Sequence, residues 1–152
     1  MVDKNLTSQI SNLIKNIVEQ NNLLFIDLIV RGTDKHPVIE VFVDHRDGVD
    51  TELCSKISLE IKEKMDQTVE IDNYRLDVSS PGVDRPLIYL EQYFKHIGRK
   101  FSLQYKENDN TYELNNATLE SINNDELTFK TNKSTIKLKF SQIIKAQTII
   151  TF

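Results

Sequence analysis

The chain of 152 residues, 39% hydrophobic and 28% charged, is long enough for one ordinary domain or two small ones and should fold in water. Its formal charge of −4 hides an asymmetry: residues 1–82 hold nine basic and fifteen acidic side chains, net −6, and residues 83–152 hold ten and eight, net +2, a pattern suggesting two units with different partners. No apolar run approaches the ~18 residues of a membrane span, the start MVDKNLTSQI lacks the apolar stretch of a signal peptide, and the single Cys54 excludes an internal disulfide and gives no zinc-site pattern.

Leu6, Ile10, Leu13, Ile14, Ile17 and Val18 recur at steps of three and four, which predicts an amphipathic helix. Two β-branched runs follow, Leu23 to Val30 and Val38 to Asp44, separated by RGTDKHP, and they read as a hairpin. In the second run Ile39, Val41 and Val43 share one face. Asp50 is placed to cap a second helix with the apolar stripe Leu53, Cys54, Ile57, Ile61 and Met65, and Glu52 in its first turn suits the helix dipole. YRLDVSS alternates Tyr74, Leu76 and Val78 against Arg75, Asp77 and Ser79, a third strand. The expectation is an α-β-β-α-β domain over 1–82, a three-stranded sheet with both helices on one face.

The second half has a different period. Phe101, Leu103 and Tyr105 alternate with polar residues, as do Leu127 and Phe129, and Ile136, Leu138 and Phe140. Further strands fit Asn116 to Ile122 and Thr148 to Phe152, with turns at Glu107–Asn110 and Asn123–Asp125 and one short helix over Leu90 to Gly98. Five closely spaced strands predict a small β-barrel over 90–152. On its surface Arg99 and Lys100 precede the first strand, and Lys137 and Lys139 project from one strand face; these are candidate phosphate or protein contacts.

Between the halves lies VSSPGVDRPL, Val78 to Leu87, with two of the three prolines and one of the four glycines of the chain. Pro81 fixes its own φ and pushes Ser80 into extended geometry, Pro81-Gly82 suits the centre of a type II turn, and Pro86 restricts Arg85. Residues 83–89 are therefore expected to form a rigid joint. Ser79, Ser80, Pro81, Gly82, Asp84, Arg85 and Pro86 become the candidates for partner binding or for fixing domain orientation.

Catalytic patterns fail on their own requirements. His45-Arg46-Asp47 matches a kinase tripeptide, but Glu52 stands where that motif needs Asn. The acids from Asp44 to Asp50 lack the spacing of a calcium loop. His36, His45 and His96 are dispersed without metal-ligand spacing, Ser79 and Ser80 lie outside any G-x-S-x-G, and Cys54 on an apolar stripe reads as a small buried hydrophobe. Gly32, Gly48, Gly82 and Gly98 supply no GXXG, which disfavours KH-type RNA clamping.

Ser79-Ser80-Pro81-Gly82-Val83-Asp84-Arg85-Pro86-Leu87 resembles the signature SSPGLDRPL of the bacterial ribosome maturation factor RimP family. Gly48-Val49-Asp50 followed by Cys54, and the short C-terminal strands after a short helix, are similar to the same family. The one departure, Val83 for Leu, is conservative. The resemblance implies an α+β chain whose N-terminal α-β-β-α-β domain precedes an SH3-like (Sm-like) small barrel. It also implies a cytoplasmic, monomeric and non-enzymatic assembly chaperone, without cofactor, metal or small-molecule substrate. Such a protein binds the immature small (30S) ribosomal subunit through ribosomal protein and rRNA. The alternative is a stand-alone Sm-like RNA-binding regulator, which would form rings and bind RNA without ribosomes.

Overall fold

The structure, a computed structural model, describes residues 3–150. The chain divides into two compact units after Pro81.

In the first unit, α1 (Lys4–Gln20) starts where Leu6 N–H donates to the Asp3 carboxylate at 2.7 Å and ends before Asn22, whose φ of 60° stops helical continuation. β1 (Leu24–Gly32) and β2 (Pro37–Asp44) form the antiparallel hairpin. α2 (Thr51–Thr68) is capped by Asp50, which accepts from Leu53 N–H at 2.8 Å, and carries the chain across to β3 (Arg75–Ser79), parallel to β2. The sheet order is β1-β2-β3. Ile10, Ile14, Ile17 and Val18 of α1 and Ile57, Ile61 and Met65 of α2 share one core with the fully buried Ile39, Val41 and Val43 of β2. Both helices thus cover the same face, and each fully buried aliphatic side chain contributes about 1.5–3 kcal/mol of apolar transfer. The other face carries the Arg31–Glu40 ion pair at 2.9 Å and Arg75–Asp77 at 3.1 Å.

β1 departs from simple alternation. Phe25 pairs with Val43 and Asp27 with Phe42, so Ile26 is an inserted bulge residue. The bulge shifts the phase by one, which lets Phe25 pack on the core together with Leu28 and Val30 and turns Asp27 out to the opposite face.

The second unit opens with the short helix expected over Leu90 to Gly98, which is a 3-10 helix and ends at His96. Gly98 itself is at φ 93°, a conformation that closes helical propagation. Then follow β4 (Lys100–Glu107), β5 (Asn110–Asn123), β6 (Glu126–Lys130), β7 (Thr135–Lys139), a 3-10 turn over Phe140–Gln142 and β8 (Ile143–Thr148). They form one antiparallel sheet in the order β7-β6-β5-β4-β8. β7 and β8 are its two edges; the 3-10 turn between them sends the chain past β7 to pair with β4 instead. β5 is bulged twice, near Asn116 (φ 58°) and at Glu120, so its first part pairs with β4 and its last part with β6.

Two strand limits differ from expectation. β5 begins at Asn110 because Asn108 and Asp109, at φ 51° and 66°, make a two-residue hairpin turn of the type Asn and Asp favour. The last strand is Ile143–Thr148, since Ala146 and Thr148 are the residues facing inward against β4. Of the expected strand over 148–152, Ile149 only adds one hydrogen bond to the Lys100 carbonyl at 2.9 Å, and residues 151–152 lie outside the described residues.

The core of this unit is aromatic. Tyr93 stacks on Phe101 with centroids 5.7 Å apart, and Phe101 meets Phe129 edge-on at 5.6 Å, among Leu119, Leu127 and Leu138. The Tyr93 hydroxyl is buried without a hydrogen-bond partner, an arrangement that costs about 1–3 kcal/mol of desolvation. Burial also drives its phenol well above the ordinary tyrosine range. Tyr93→Phe should therefore raise the melting temperature of this unit by ~4–8 °C, equivalent to ~1 kcal/mol in a domain of this size. A lower melting temperature by calorimetry would mean that the hydroxyl is held by a partner in solution.

Candidate binding surfaces

β3 ends at Ser79, which pairs with Phe42, and Ser79 and Ser80 are exposed as the chain leaves the sheet. The hydrogen-bonded turn that follows is Gly82–Arg85, with Arg85 N–H donating to the Gly82 carbonyl at 3.1 Å and Val83-Asp84 at its centre. This corrects the expected type II turn centred on Pro81-Gly82, which needs a positive φ at Gly82; the positive-φ glycines are Gly32, Gly48 and Gly98. The glycine has a different reason. A Cβ at Gly82 would stand 2.6 Å from Asp84 Oδ1, so any side chain there displaces that carboxylate.

Beyond Pro86 the chain is tied down within the second unit. Leu87 N–H donates to the Ala146 carbonyl at 2.8 Å, and Ile88 and Tyr89 N–H both donate to Gln92 Oε1, at 2.8 and 3.0 Å. Gln92 is 1% exposed. Sequence reading passed over it, although a Gln three residues after Tyr89 is the spacing of a residue that reaches back to cap a helix start.

The four basic candidates are all exposed, but they are not one cluster. Lys137 and Lys139 flank the inward Leu138 on β7 and project outward. The ladder sets Lys100 opposite Thr118, Thr118 opposite Lys130, and Lys130 opposite Thr135. Because Phe101, Leu119 and Phe129 point inward, Lys100 and Lys130 share the outward face with Lys137 and Lys139. Lys130 was not among the sequence candidates; only the register reveals it. Glu120, 3.9 Å from Lys130, and Glu126, opposite Lys139, interrupt the positive charge. Arg99 stands one residue before β4, outside the ladder, with its backbone bonded to His96 and Leu119.

His45-Arg46-Asp47 forms a turn closed by Gly48 N–H on the His45 carbonyl at 2.9 Å, with Gly48 at φ 88°. Among the described residues no three His, Cys, Asp or Glu side chains stand close enough to hold a metal ion, and no helix is long and apolar enough to cross a membrane. Cys54 is half-buried rather than fully enclosed, because it lies on the flank of the α2 stripe. Burial, and then the nearby Asp50 carboxylate, push its thiol above the ordinary range. The reactive thiolate is accordingly scarce, and alkylation of Cys54 by iodoacetamide at neutral pH should run slower than that of free cysteine. A faster rate would indicate a cation near the sulfur in solution.

Residues 13–84 match the RimP N-terminal domain. The match runs from the middle of α1 through β3 and takes in Ser79 to Asp84, where Gly82 and Asp84 meet. This domain and the signature that closes it identify residues 13–84 as the N-terminal domain of the RimP family of ribosome maturation factors.

Proposed function

We propose that the protein is a non-catalytic assembly factor for the small (30S) ribosomal subunit, acting in the cytoplasm as a monomer without cofactor. The observation that carries this reading is the Ser-Ser-Pro-Gly-x-Asp-Arg-Pro-Leu segment standing directly at the end of a RimP N-terminal domain. In this reading the bulged five-stranded sheet is the SH3-like (Sm-like) barrel of the family, and residues 83–89 are the joint that fixes how the two units are presented. The acidic first unit meets a basic ribosomal protein, while the outward lysines of the second meet rRNA phosphates. Phosphate contacts position a protein on RNA without reading sequence, which suits recognition of an immature particle by shape.

Cosedimentation of the purified protein with free small subunits, free large subunits and assembled ribosomes, at near-physiological salt, tests this. Selective binding to the free small subunit is the expected result. Absence of binding by folded protein would sink the reading in favour of a free RNA-binding regulator. Arg85→Ala is expected to weaken small-subunit binding about tenfold or more, in the range of a buried arginine anchor, with a melting temperature shift of only a few degrees. Unchanged affinity with a large loss of stability would assign Arg85 to the fold.

A further inference from the structure

β3 is an edge strand, paired on one side only, to β2. Among the described residues no backbone hydrogen bond outside that ladder reaches residues 75–80, so the alternate N–H and C=O groups on the outer side are available to another chain. Beside this edge runs a groove of about 560 Å³. Cys54, Ser55 and Leu59 of α2 form one wall, Val78 and Ser80 the other, and Val49 lies at its end. Leu59 is 70% exposed, the most exposed large hydrophobic residue of the described chain, where an amphipathic helix with its core stripe elsewhere would carry a polar side chain.

We propose that the β3 edge and this groove form one docking site, which takes an extended basic segment of a partner protein as a fourth strand of the sheet. Main-chain hydrogen bonds to an edge strand supply affinity and alternate side chains supply specificity in such strand addition. Side chains of an added strand point alternately to the two faces of the sheet. On the helix side they meet the groove, whose Val49, Cys54, Leu59 and Val78 suit an apolar residue. On the other side they meet Asp77, half-buried and 3.1 Å from Arg75. Charge selects the class of partner: residues 1–82 are net −6, and Asp50 lines the groove at the start of α2. The matching segment therefore alternates apolar and cationic residues over the ~16 Å that five strand residues span. The inference rests on the assembly reading only for the claim that this partner is a ribosomal protein.

The test uses an eight-residue fluorescent peptide alternating valine and arginine, with two controls: glutamate in place of arginine, and N-methylation of alternate backbone amides. Anisotropy titration of the full chain should show binding of the parent peptide and at least tenfold weaker binding of both controls. Ser55→Arg and Leu59→Ser should weaken the parent peptide to a similar degree; both positions are exposed, and circular dichroism melting checks that the variants fold. No binding of the parent peptide, equal binding of the N-methylated one, or indifference to both substitutions would overturn the proposal. Cosedimentation of the same proteins separates the two readings. Small-subunit binding that Ser55→Arg leaves intact, without peptide binding, removes the docking site alone, whereas peptide binding without subunit binding removes the assembly role and keeps the docking site.

Discussion

Phe101→Ala should cost the second unit about 3–5 kcal/mol, the largest stability effect expected from any single truncation in that core. Phe101 is fully buried and touches three aromatic partners, Tyr93 stacked at 5.7 Å, Phe129 edge-on at 5.6 Å and His96 edge-on at 6.2 Å. Removing the ring deletes its transfer energy, and the neighbours close the cavity only in part because all three are themselves aromatic rings held in place by the sheet and the 3-10 helix. At ~0.05–0.15 kcal/mol per residue a unit this small has only several kcal/mol in all. The variant should therefore lose dispersed amide resonances over residues 100–148 near room temperature while those of residues 10–79 persist. A loss below about 1 kcal/mol would show that the site collapses around the missing ring.

The second large effect is on RNA. Replacing Arg99, Lys100, Lys137 and Lys139 with glutamine removes four positive charges from the second unit. Each phosphate contact contributes ~0.7–0.9 to the slope of log affinity against log salt. If all four contact rRNA, raising the salt from ~50 to ~200 mM should weaken the wild-type protein about 50- to 150-fold more than the variant, because the variant has fewer counterions to release. Filter binding or anisotropy with a small-subunit rRNA fragment across that range measures both slopes. Parallel slopes would remove these side chains from the RNA contact.

The parts of the fold that could be read from the sequence are those where one residue type per position decides the outcome. The stripes of α1 and α2, the Asp50 cap and the inward trio Ile39, Val41 and Val43 are set by apolar periodicity and one hydrogen bond each, and all appear as expected. What escaped depends on register. The bulge at Ile26 leaves no mark in composition, yet it decides that Asp27 faces away from the core. The first part of β5, Asn110 to Asn116, is polar and Asn-rich, so propensity argues against a strand that pairing with β4 nevertheless holds. The short helix is 3-10, and Gln92 turns its side chain back to Ile88 and Tyr89 at its start. At the candidate surfaces the same division holds. That the chain turns in this segment was legible from two prolines and a glycine, but the hydrogen-bonded turn lies two residues later than Pro-Gly statistics suggest, centred on Val83-Asp84. Lys130 joined the lysine face only through cross-strand pairing.

The pairing of β4 on both sides also orders events during synthesis. β5, β6 and β7 follow β4 as successive hairpins and can form as the chain emerges, but the other side of β4 stays bare until residues 143–148 are made, since Phe101 pairs there with Thr148 and Leu103 with Ala146. For that interval the nascent unit presents an unpaired strand, a state prone to wrong association. The two edges it keeps when finished are blunted, β7 by Lys137 and Lys139 and β8 by Leu87 bonded to Ala146. The window for misassembly is therefore a property of translation speed over the last strand, and slowing elongation there should lengthen it without altering the mature protein.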